Sequence, residues 1–327
     1  MNHPVNEPIL GYSPGSKERI EIKAELDRQI SEVIEIPCII NGKEVFTGNI
    51  TTQVIPHNHN HIIARVHLAG KDEMENACKA AVNAQQNWID IGLESRCEIF
   101  EKCADLLAGE WRMKVNASTM LNQSKTVFQA EIDSACELID FWRFNCFYAR
   151  NFHDDLQPLV SPPGVKNSTE IRPLEGFVLS ITPFNFTSIA ANLPSAPAIV
   201  GCTSVWKPSR NSYLSNYILM QLMMEAGLPD GVINFLPGSG AEITEVALAN
   251  PDFAGLHFTG STATFQGLWQ EIGLALPNLR SYPRIVGETG GKDFVVAHPN
   301  CNERGLLVAL LRGSFEFQGQ KCSAASR

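Results

Sequence analysis

The spacing of apolar residues divides the chain into a helical first part and a second part of alternating short apolar runs and helical stretches. Apolar residues recur every three or four positions from Asp72, from about Glu94, and from 127 to 150. This period predicts three amphipathic helices that each bury one face, with Asp72 and Glu75 as the capping pair of the first. The stripe of the third helix consists of Ile132, Ala135, Ile139, Trp142 and Cys146.

Five strand-like runs follow, each separated from the next by a stretch long enough for a helix. They lie at 176–181, 203–207, 232–236, 254–260 and 284–288. Strands separated by helices of about 10–15 residues predict right-handed βαβ units, so we expect an α/β fold with a parallel sheet. Ligands bind at the carboxyl ends of such strands, and the loops that follow them are the places to search for chemistry.

Two segments lie outside these helices and alternating strands. Residues 1–50 are predicted to form an arm with a charged helix over 17–32 and a strand–turn–strand around Asn41-Gly42. Residues 156–173 are rich in Pro, Ser and Asn and predict a projecting hairpin or linker.

Composition and charge narrow the class of protein. The chain has 327 residues, 44% hydrophobic and 19% charged, with a formal net charge of -9. This length suffices for one large or two ordinary domains. No run of Lys or Arg is present, which argues against a nucleic-acid surface. The most apolar run, 189–202, is broken by Pro194 and Pro197 and is shorter than the roughly 20 residues that span a bilayer.

The cysteines and histidines do not form a recognisable disulfide or metal pattern. Nine cysteines are widely spread without C-x-x-C, as expected of reduced thiols. His57, His59 and His61 alternate in a predicted polar loop without accompanying carboxylates or cysteines, so we expect no metal there. The start of the chain lacks a signal or transit pattern, which predicts a cytosolic protein, or a mitochondrial-matrix protein whose targeting segment is absent from this sequence.

The loops after the predicted strands carry the candidate chemistry, and each has a purely structural alternative. Asn185 is either functional or the cap of the next helix, and Lys207 is either a ligand group or a surface charge. Glu288 is either a surface carboxylate or a buried base. Ser261 either opens a phosphate-binding helix terminus or caps a tight turn. The loops are TPFNF (182–186), KPSR (207–210), PGSG (237–240), TGST (259–262) and ETGGK (288–292).

Two further details bear on these loops. The PGSG segment matches a dinucleotide fingerprint weakly, because Ile243 stands where the third glycine belongs. Cys322 lies in FQGQKCSA (317–324), 34 positions after Glu288. On its own such a thiol is either a nucleophile or buried filler.

In this order and on this strand pattern, the segments resemble the aldehyde dehydrogenase superfamily. Its pattern comprises an asparagine loop after a strand, then W-K-P, G-L-P-x-G-V-x-N, F-T-G-S, E-x-G-G-K and G-Q-x-C. The chain has TPFNF, VWKPS, GLPDGVINFLPG, HFTGST, GETGGK and FQGQKCSA. Four longer segments are similar to the L-glutamate γ-semialdehyde (1-pyrroline-5-carboxylate) dehydrogenase branch of proline breakdown: NEPILGYSPGSKER, VKNSTEIRPLEGFV, SYPRIVGETGGKDF and FEFQGQKCSAASR. Members of that branch are longer, so the chain resembles an amino-terminal portion of one.

The resemblance implies a Rossmann-like nucleotide-binding domain followed by the start of an α/β catalytic domain. Residues 1–50 would form an arm, 51–155 with 174–286 the NAD-binding domain, 156–173 an oligomerisation hairpin, and 287–327 the beginning of the catalytic domain. It also implies a small-molecule substrate and a homo-oligomer of the full-length parent, with no metal, nucleic-acid or membrane partner.

The implied reaction is the NAD-dependent oxidation of L-glutamate γ-semialdehyde to L-glutamate. Cys322 would form a thiohemiacetal and then a thioester, Asn185 and the Cys322 backbone N–H would stabilise the oxyanion, and Glu288 would activate water. Ser323 would either hold the substrate carboxylate or simply pack. The residues expected at NAD are Thr182, Lys207, Gly260, Ser261, Thr262, Ala263 and Thr264.

Three questions stay open at this level. Arg210 stands where many relatives carry an acidic residue, and an arginine there also suits the 2′-phosphate of NADP. A non-catalytic nucleotide-binding or interaction module is a second possible function, since an incomplete catalytic domain would expose apolar surface. A third is an aldehyde dehydrogenase that transfers the acyl group to coenzyme A, for which Glu288 would be dispensable.

Overall fold

The computed structural model describes residues 3–158 and 160–325. The strands are β1 Ile34–Ile36, β2 Cys38–Ile40, β3 Lys43–Val45, β4 Ile50–Ile55, β5 Asn58–His67, β6 Phe177–Ile181, β7 Thr203–Lys207, β8 Ile233–Phe235, β9 Phe253–Gly260 and β10 Arg284–Thr289. The α-helices are α1 Lys17–Ser31, α2 Lys71–Asp90, α3 Gly92–Ala108, α4 Arg112–Gln123, α5 Val127–Ala130, α6 Leu138–Asp155, α7 Thr187–Ile199, α8 Tyr213–Ala226, α9 Gly240–Ala249, α10 Thr262–Ala275 and α11 Glu303–Phe315. A π-helical segment, Glu131–Glu137, joins α5 to α6.

The predicted parallel sheet is confirmed. Seven strands run in the order β10-β9-β6-β7-β8-β2-β3, and the first five are parallel. Every residue of β6 is buried, as expected for a strand covered on both faces. From β6 the chain continues through β7 and β8 to one side and then returns to place β9 on the other. This change of direction creates a crevice at the carboxyl ends of β6 and β9, where α/β sheets bind ligands.

Helices cover both faces of this sheet. Residues of α2, α9 and α10 pack on one face in a cluster that includes Met74, Leu256 and Leu268. The other face carries a larger cluster, built from α3, α4, α6, α7 and α8, that contains Trp142 and Trp206. Strands β4 and β5 pair with β1 in a separate three-stranded sheet. No helix among the described residues is both long enough and apolar enough to cross a bilayer.

The helical part differs from the sequence prediction in two places. Helix α2 begins at Lys71, and Glu73 accepts a hydrogen bond from the Gly70 N–H at 2.8 Å, so the predicted Asp72–Glu75 capping pair is wrong. Helix α4 was not predicted at all. Its buried face includes Asn116, Ser118 and Thr119, and polar residues at core positions hide the apolar stripe on which the prediction depended.

Two of the irregular segments also differ from expectation. His59 and His61 lie in β5 rather than in a loop, and the described part of the chain contains no cluster of three potential metal ligands. His61 Nε2 lies 2.9 Å from the Ile30 carbonyl oxygen. The described residues of 156–173 form no strand. Two hydrogen bonds between Gln157 and Thr169, of 3.2 and 3.1 Å, nevertheless join the beginning of this segment to its end. The predicted strand–turn–strand around Asn41-Gly42 is present as β2 and β3.

The arm is fixed to the helical layer by a buried charge cluster. Arg112 lies 2.6 Å from Glu7 and 2.5 Å from Glu131, and its side chain is only 3% exposed. Glu131 also accepts hydrogen bonds from the Leu10 N–H at 2.8 Å and the Tyr12 hydroxyl at 2.7 Å. Removal of the guanidinium would therefore leave the buried carboxylate of Glu131 without its cation, whereas Glu7 would keep Arg143.

We expect Arg112→Met to lower the free energy of unfolding by about 3–5 kcal/mol, the usual cost of breaking a buried ion pair from one side. Arg28→Met is the matched control, because Arg28 pairs with Glu25 and Glu32 on the exposed side of α1. Its effect should stay within about 1 kcal/mol. Urea unfolding followed by circular dichroism measures both, and equal effects would contradict the assignment of the arm cluster as a buried anchor.

Candidate active site

Cys322 and Glu288 are brought together by the end of β10 and the segment that follows α11. The Cys322 thiol donates a hydrogen bond to Glu288 Oε1 at 3.4 Å. Glu288 is the penultimate residue of β10, where it pairs in register with Thr259 of β9. Cys322 is half-buried, whereas Glu288 is exposed. Strand β10 therefore positions the carboxylate, and the loop after α11 positions the thiol beside it.

The surroundings of Cys322 favour the protonated form of its thiol. Burial raises the thiol pKa, and the negative charge of Glu288 and the hydrogen bond to that carboxylate raise it further. The thiol accordingly needs a proton acceptor before it can act as a nucleophile. Glu288 is in hydrogen-bond contact with it and is the group that can take the proton.

The turn before Cys322 has an unusual backbone. Phe317, Gln318 and Gly319 have φ values of 53°, 55° and 74°, so two side-chain-bearing residues occupy the left-handed region. Phe317 is buried and stacks on Phe186 with ring centroids 5.3 Å apart. At Gly291, an added Cβ would lie 2.2 Å from the Cys322 carbonyl oxygen. A glycine at 291 thus permits the close approach of the β10 loop to the cysteine.

Asn185 does not cap the helix that follows it. The N-terminal amides of α7, from Thr187 and Ser188, donate to the Asp133 carboxylate at 3.1 and 3.2 Å. The Asn185 side-chain amide instead donates to the Gln320 carbonyl oxygen at 2.6 Å. A primary amide has two N–H donors, so one remains for a further acceptor beside the cysteine loop.

The predicted cofactor residues lie on both sides of the sheet crevice. Ser261 caps α10 by accepting a hydrogen bond from the Thr264 N–H at 3.1 Å, and the helix therefore starts directly beside Gly260. Thr182 is buried, and its hydroxyl accepts a hydrogen bond from the Trp206 indole at 3.0 Å. Burial lowers the pKa of Lys207, whose ammonium points toward the start of α9 near Gly240.

Cys322 and Glu288 line two cavities. The first, which we term the sheet-end cavity, has a volume of about 480 Å³. Its walls include Thr182, Asn185, Ser209, Ser261 and Thr264. The second, which we term the aromatic cavity, has a volume of about 870 Å³. Its walls include Phe141, Phe144, Tyr148, Phe186, Glu137, Lys321 and Ser323. The thiol and the carboxylate are therefore accessible from two cavities.

Sequence reasoning missed the charged groups behind these cavities. Burial and the charge of Asp133 raise the pKa of Glu137 to about 7. Lys125 and Asp133 form an ion pair at 2.5 Å with both side chains fully buried. The available signal was a pair of carboxylates four residues apart, Asp133 and Glu137, inside an otherwise apolar helical stripe. Both belong to the π-helical segment, a distortion that is frequent at functional sites.

Known proteins match both the sequence and this arrangement. The aldehyde dehydrogenase family model matches residues 47–327. Delta-1-pyrroline-5-carboxylate dehydrogenase of Agaricus bisporus is 48% identical over 323 residues, which cover 98% of this chain and 59% of that protein. The human mitochondrial enzyme of the same name is 41% identical, with 98% and 57% covered.

A solved structure agrees closely. The delta-pyrroline-5-carboxylate dehydrogenase of Mycobacterium tuberculosis bound with NAD superposes with a TM-score of 0.97 and 50% identity, covering 100% of this chain and 61% of that one. The chain thus spans about three-fifths of the length of the relatives that it matches. Since the family match extends over most of the sequence, the family predicted from the motifs is confirmed, and the chain belongs to the aldehyde dehydrogenase family.

Proposed function

We propose that the full-length gene product containing this chain oxidises L-glutamate γ-semialdehyde, the open form of 1-pyrroline-5-carboxylate, to L-glutamate with NAD. The observation that carries the proposal is the 3.4 Å contact between Cys322 and Glu288 where two cavities meet. The names of the relatives support the substrate, and the NAD-bound neighbour supports the cofactor.

The first step is nucleophilic attack. Glu288 accepts the Cys322 proton along their hydrogen bond, and the thiolate adds to the aldehyde carbon. The aldehyde oxygen becomes an oxyanion in the resulting thiohemiacetal. The free N–H of the Asn185 amide and the Cys322 backbone N–H are the donors assigned to that oxygen.

The sheet-end cavity suits a dinucleotide. The amino-terminal end of α10, where Ser261 and Thr264 line the cavity, favours a phosphate group, and the desolvated Lys207 is assigned to the ribose. Thr182, Gly260, Ser261, Thr262, Ala263 and Thr264 form the proposed binding residues with Lys207. When bound, NAD accepts the hydride that converts the thiohemiacetal to a thioester. The exposed Arg210 makes NADP the second candidate.

The aromatic cavity suits the amino acid end of the substrate. Glutamate semialdehyde carries an ammonium and a carboxylate far from its aldehyde, and the cavity offers both charge signs through Glu137 and Lys321. Ser323 is exposed beside the cysteine and is the proposed hydroxyl donor to the substrate carboxylate. Glu288 is exposed and releases the thiol proton to solvent, after which it is the base adjacent to the sulfur that hydrolysis of the thioester needs.

The same proposal includes the organisation of the protein. Residues 51–155 and 174–286 are assigned to nucleotide binding, 287–327 to the start of the catalytic domain, and 156–173 to oligomer contacts. A location in the cytosol or in the mitochondrial matrix belongs to the proposal as well.

An interaction module is the second candidate function, and one observation favours it. Large apolar side chains just before, on and after β10 and on α11 are exposed, namely Tyr282, Val286, Phe294, Val296, Leu307 and Leu311. Surfaces of this kind mark contacts with other protein segments.

Cys322→Ala should abolish NADH formation from 1-pyrroline-5-carboxylate, because no other thiol contacts Glu288 in the described residues. Cys301→Ala is the matched control, since Cys301 is also half-buried but lies outside both cavities. Absorbance at the NADH band measures both variants. Retained turnover in Cys322→Ala would refute the nucleophile, and no turnover in the unmodified gene product would favour the interaction module.

Glu288→Gln should reduce glutamate formation by about 10²–10⁴-fold, the usual contribution of a general base. The exposed Glu303→Gln on α11 serves as the control. Mass spectrometry of the intact protein and of the products separates two outcomes. An accumulated acyl-enzyme would place the loss in hydrolysis, whereas its absence would place the loss in the activation of Cys322. Full turnover to an acyl-coenzyme A in this variant would establish the acyl-transfer reaction instead and refute both roles of Glu288.

Glu137→Gln should change the pH dependence of stability. The folded-state pKa of about 7 lies above the ordinary 4.5, so the stabilisation from the neutral carboxyl is complete below 4.5 and is lost as the pH rises through 7. The variant cannot ionise, and its stability relative to the parent should rise by an amount on the order of 2 kcal/mol between pH 5 and pH 8. Urea unfolding at both values tests this, with the exposed Glu110→Gln as control. Parallel pH curves for parent and Glu137→Gln would contradict it.

A further inference from the structure

Lys125 is a buried cation that no step of the proposed reaction uses. It lies between α4 and α5, with its side chain 0% exposed. Its ammonium donates to the Asp133 carboxylate at 2.5 Å and to the backbone carbonyl of Asn185. Burial lowers its pKa, although the charge of Asp133 opposes that effect. Burying an ammonium group completely costs free energy, so the contacts of Lys125 must account for its position.

The same ammonium contacts two aromatic rings that belong to different loops. Its Nζ lies 4.6 Å from the centroid of Phe186 and 4.6 Å from that of Phe317. Phe186 directly follows Asn185, and Phe317 begins the left-handed turn that leads to Cys322. One cation therefore touches both the loop that carries the oxyanion donor and the loop that carries the thiol.

A simple charge-compensation role does not account for these contacts. Asp133 already accepts hydrogen bonds from the Thr187 N–H, the Ser188 N–H and the Ser188 hydroxyl, the last at 2.8 Å. Three donors satisfy most of the acceptor capacity of this carboxylate without the lysine. What the lysine adds is its bond to the Asn185 carbonyl and its position against the two rings.

We propose that Lys125 is a positioning residue that holds the Asn185 loop and the Phe317 turn together and so fixes the Asn185 amide relative to the carbon attacked by Cys322. The inference rests on the proposed function, because it assigns Lys125 to that reaction. A displacement of about 1 Å between reacting groups can cost about 10²-fold in rate. The 2.6 Å bond from Asn185 to the Gln320 carbonyl joins the same loops, and it depends on the spacing that Lys125 sets.

The test uses Lys125→Met, which keeps an unbranched chain of similar length but removes the charge, in the full-length gene product. We expect kcat to fall about 10²-fold while KM for NAD stays within about twofold, since the contacts of Lys125 to Asp133, Asn185, Phe186 and Phe317 include none of the residues assigned to NAD. Lys114→Met is the matched control. Lys114 lies in α4 with its ammonium 3.8 Å from the Trp111 ring centroid, away from both cavities, and its loss should leave kcat unchanged.

A double variant, Lys125→Met with Asp133→Asn, separates positioning from charge compensation and protects the test against misfolding. It removes both buried charges, so no uncompensated carboxylate remains. Because Asp133 also caps α7, Asp133→Asn alone is the reference, and positioning predicts that kcat of the double variant stays well below that of this single variant. Recovery of kcat to within about threefold of Asp133→Asn would overturn the proposal, because it would show that Lys125 only neutralises Asp133.

Hydrogen–deuterium exchange gives a readout that does not require turnover. Peptides covering 183–188 and 316–324 should exchange faster in Lys125→Met and in the double variant, while a peptide covering β6 should not change. If the unmodified gene product does not oxidise the semialdehyde, the proposed function fails, and exchange still decides the role of Lys125. Unchanged exchange in both loops would overturn the positioning role even if the oxidation is observed.

Discussion

The active-site geometry depends on one buried carboxylate, Asp133. Its carboxylate accepts hydrogen bonds from the first two backbone amides of α7, those of Thr187 and Ser188. This places a negative charge at the positive end of the helix dipole. It also binds the buried ammonium of Lys125. Because Asp133 caps α7, Asn185 does not have to cap this helix, although it lies just before it in the sequence. The Asn185 amide instead donates to the cysteine loop. A polar residue in the core thus determines what a residue at the surface of the crevice can do.

The π-helical segment explains how three carboxylates that are close in sequence point to three different parts of the molecule. Glu131 turns toward the arm and pairs with Arg112, Asp133 reaches α7, and Glu137 faces the aromatic cavity. The pKa values of Glu131 and Glu137 are accordingly shifted in opposite directions. The hydrogen bond from Arg112 helps to lower the pKa of Glu131 in spite of burial, whereas burial raises that of Glu137. The segment therefore links the anchoring of the amino-terminal arm to the wall of the active site.

The parts of the molecule that were predictable from sequence are those fixed by local pattern. Strands β6, β7 and β9 are short apolar runs buried on both faces, and their positions followed from that pattern. Helix α4 was missed because its buried face is polar, and some of its partners, such as Glu131 for Asn116, lie far away in the sequence. The motifs nominated Cys322 and Glu288 as partners across 34 positions, but no spacing could reveal Lys125. Its role depends on contacts to Asn185 and Phe317 that exist only in the folded chain.

The exposure of the site bears on how the thiol is activated. Val286, which lines the aromatic cavity together with Glu288, is open to solvent, as is Leu307 of α11. Any protein segment that covers this surface also removes water from the neighbourhood of Cys322, and loss of water disfavours the thiolate. Burial and Glu288 already raise the thiol pKa. Covering the surface therefore moves the cysteine further from a preformed thiolate. In the proposed reaction, attack then relies on proton transfer to Glu288, so the hydrogen bond between these two residues matters more than the acidity of the thiol itself.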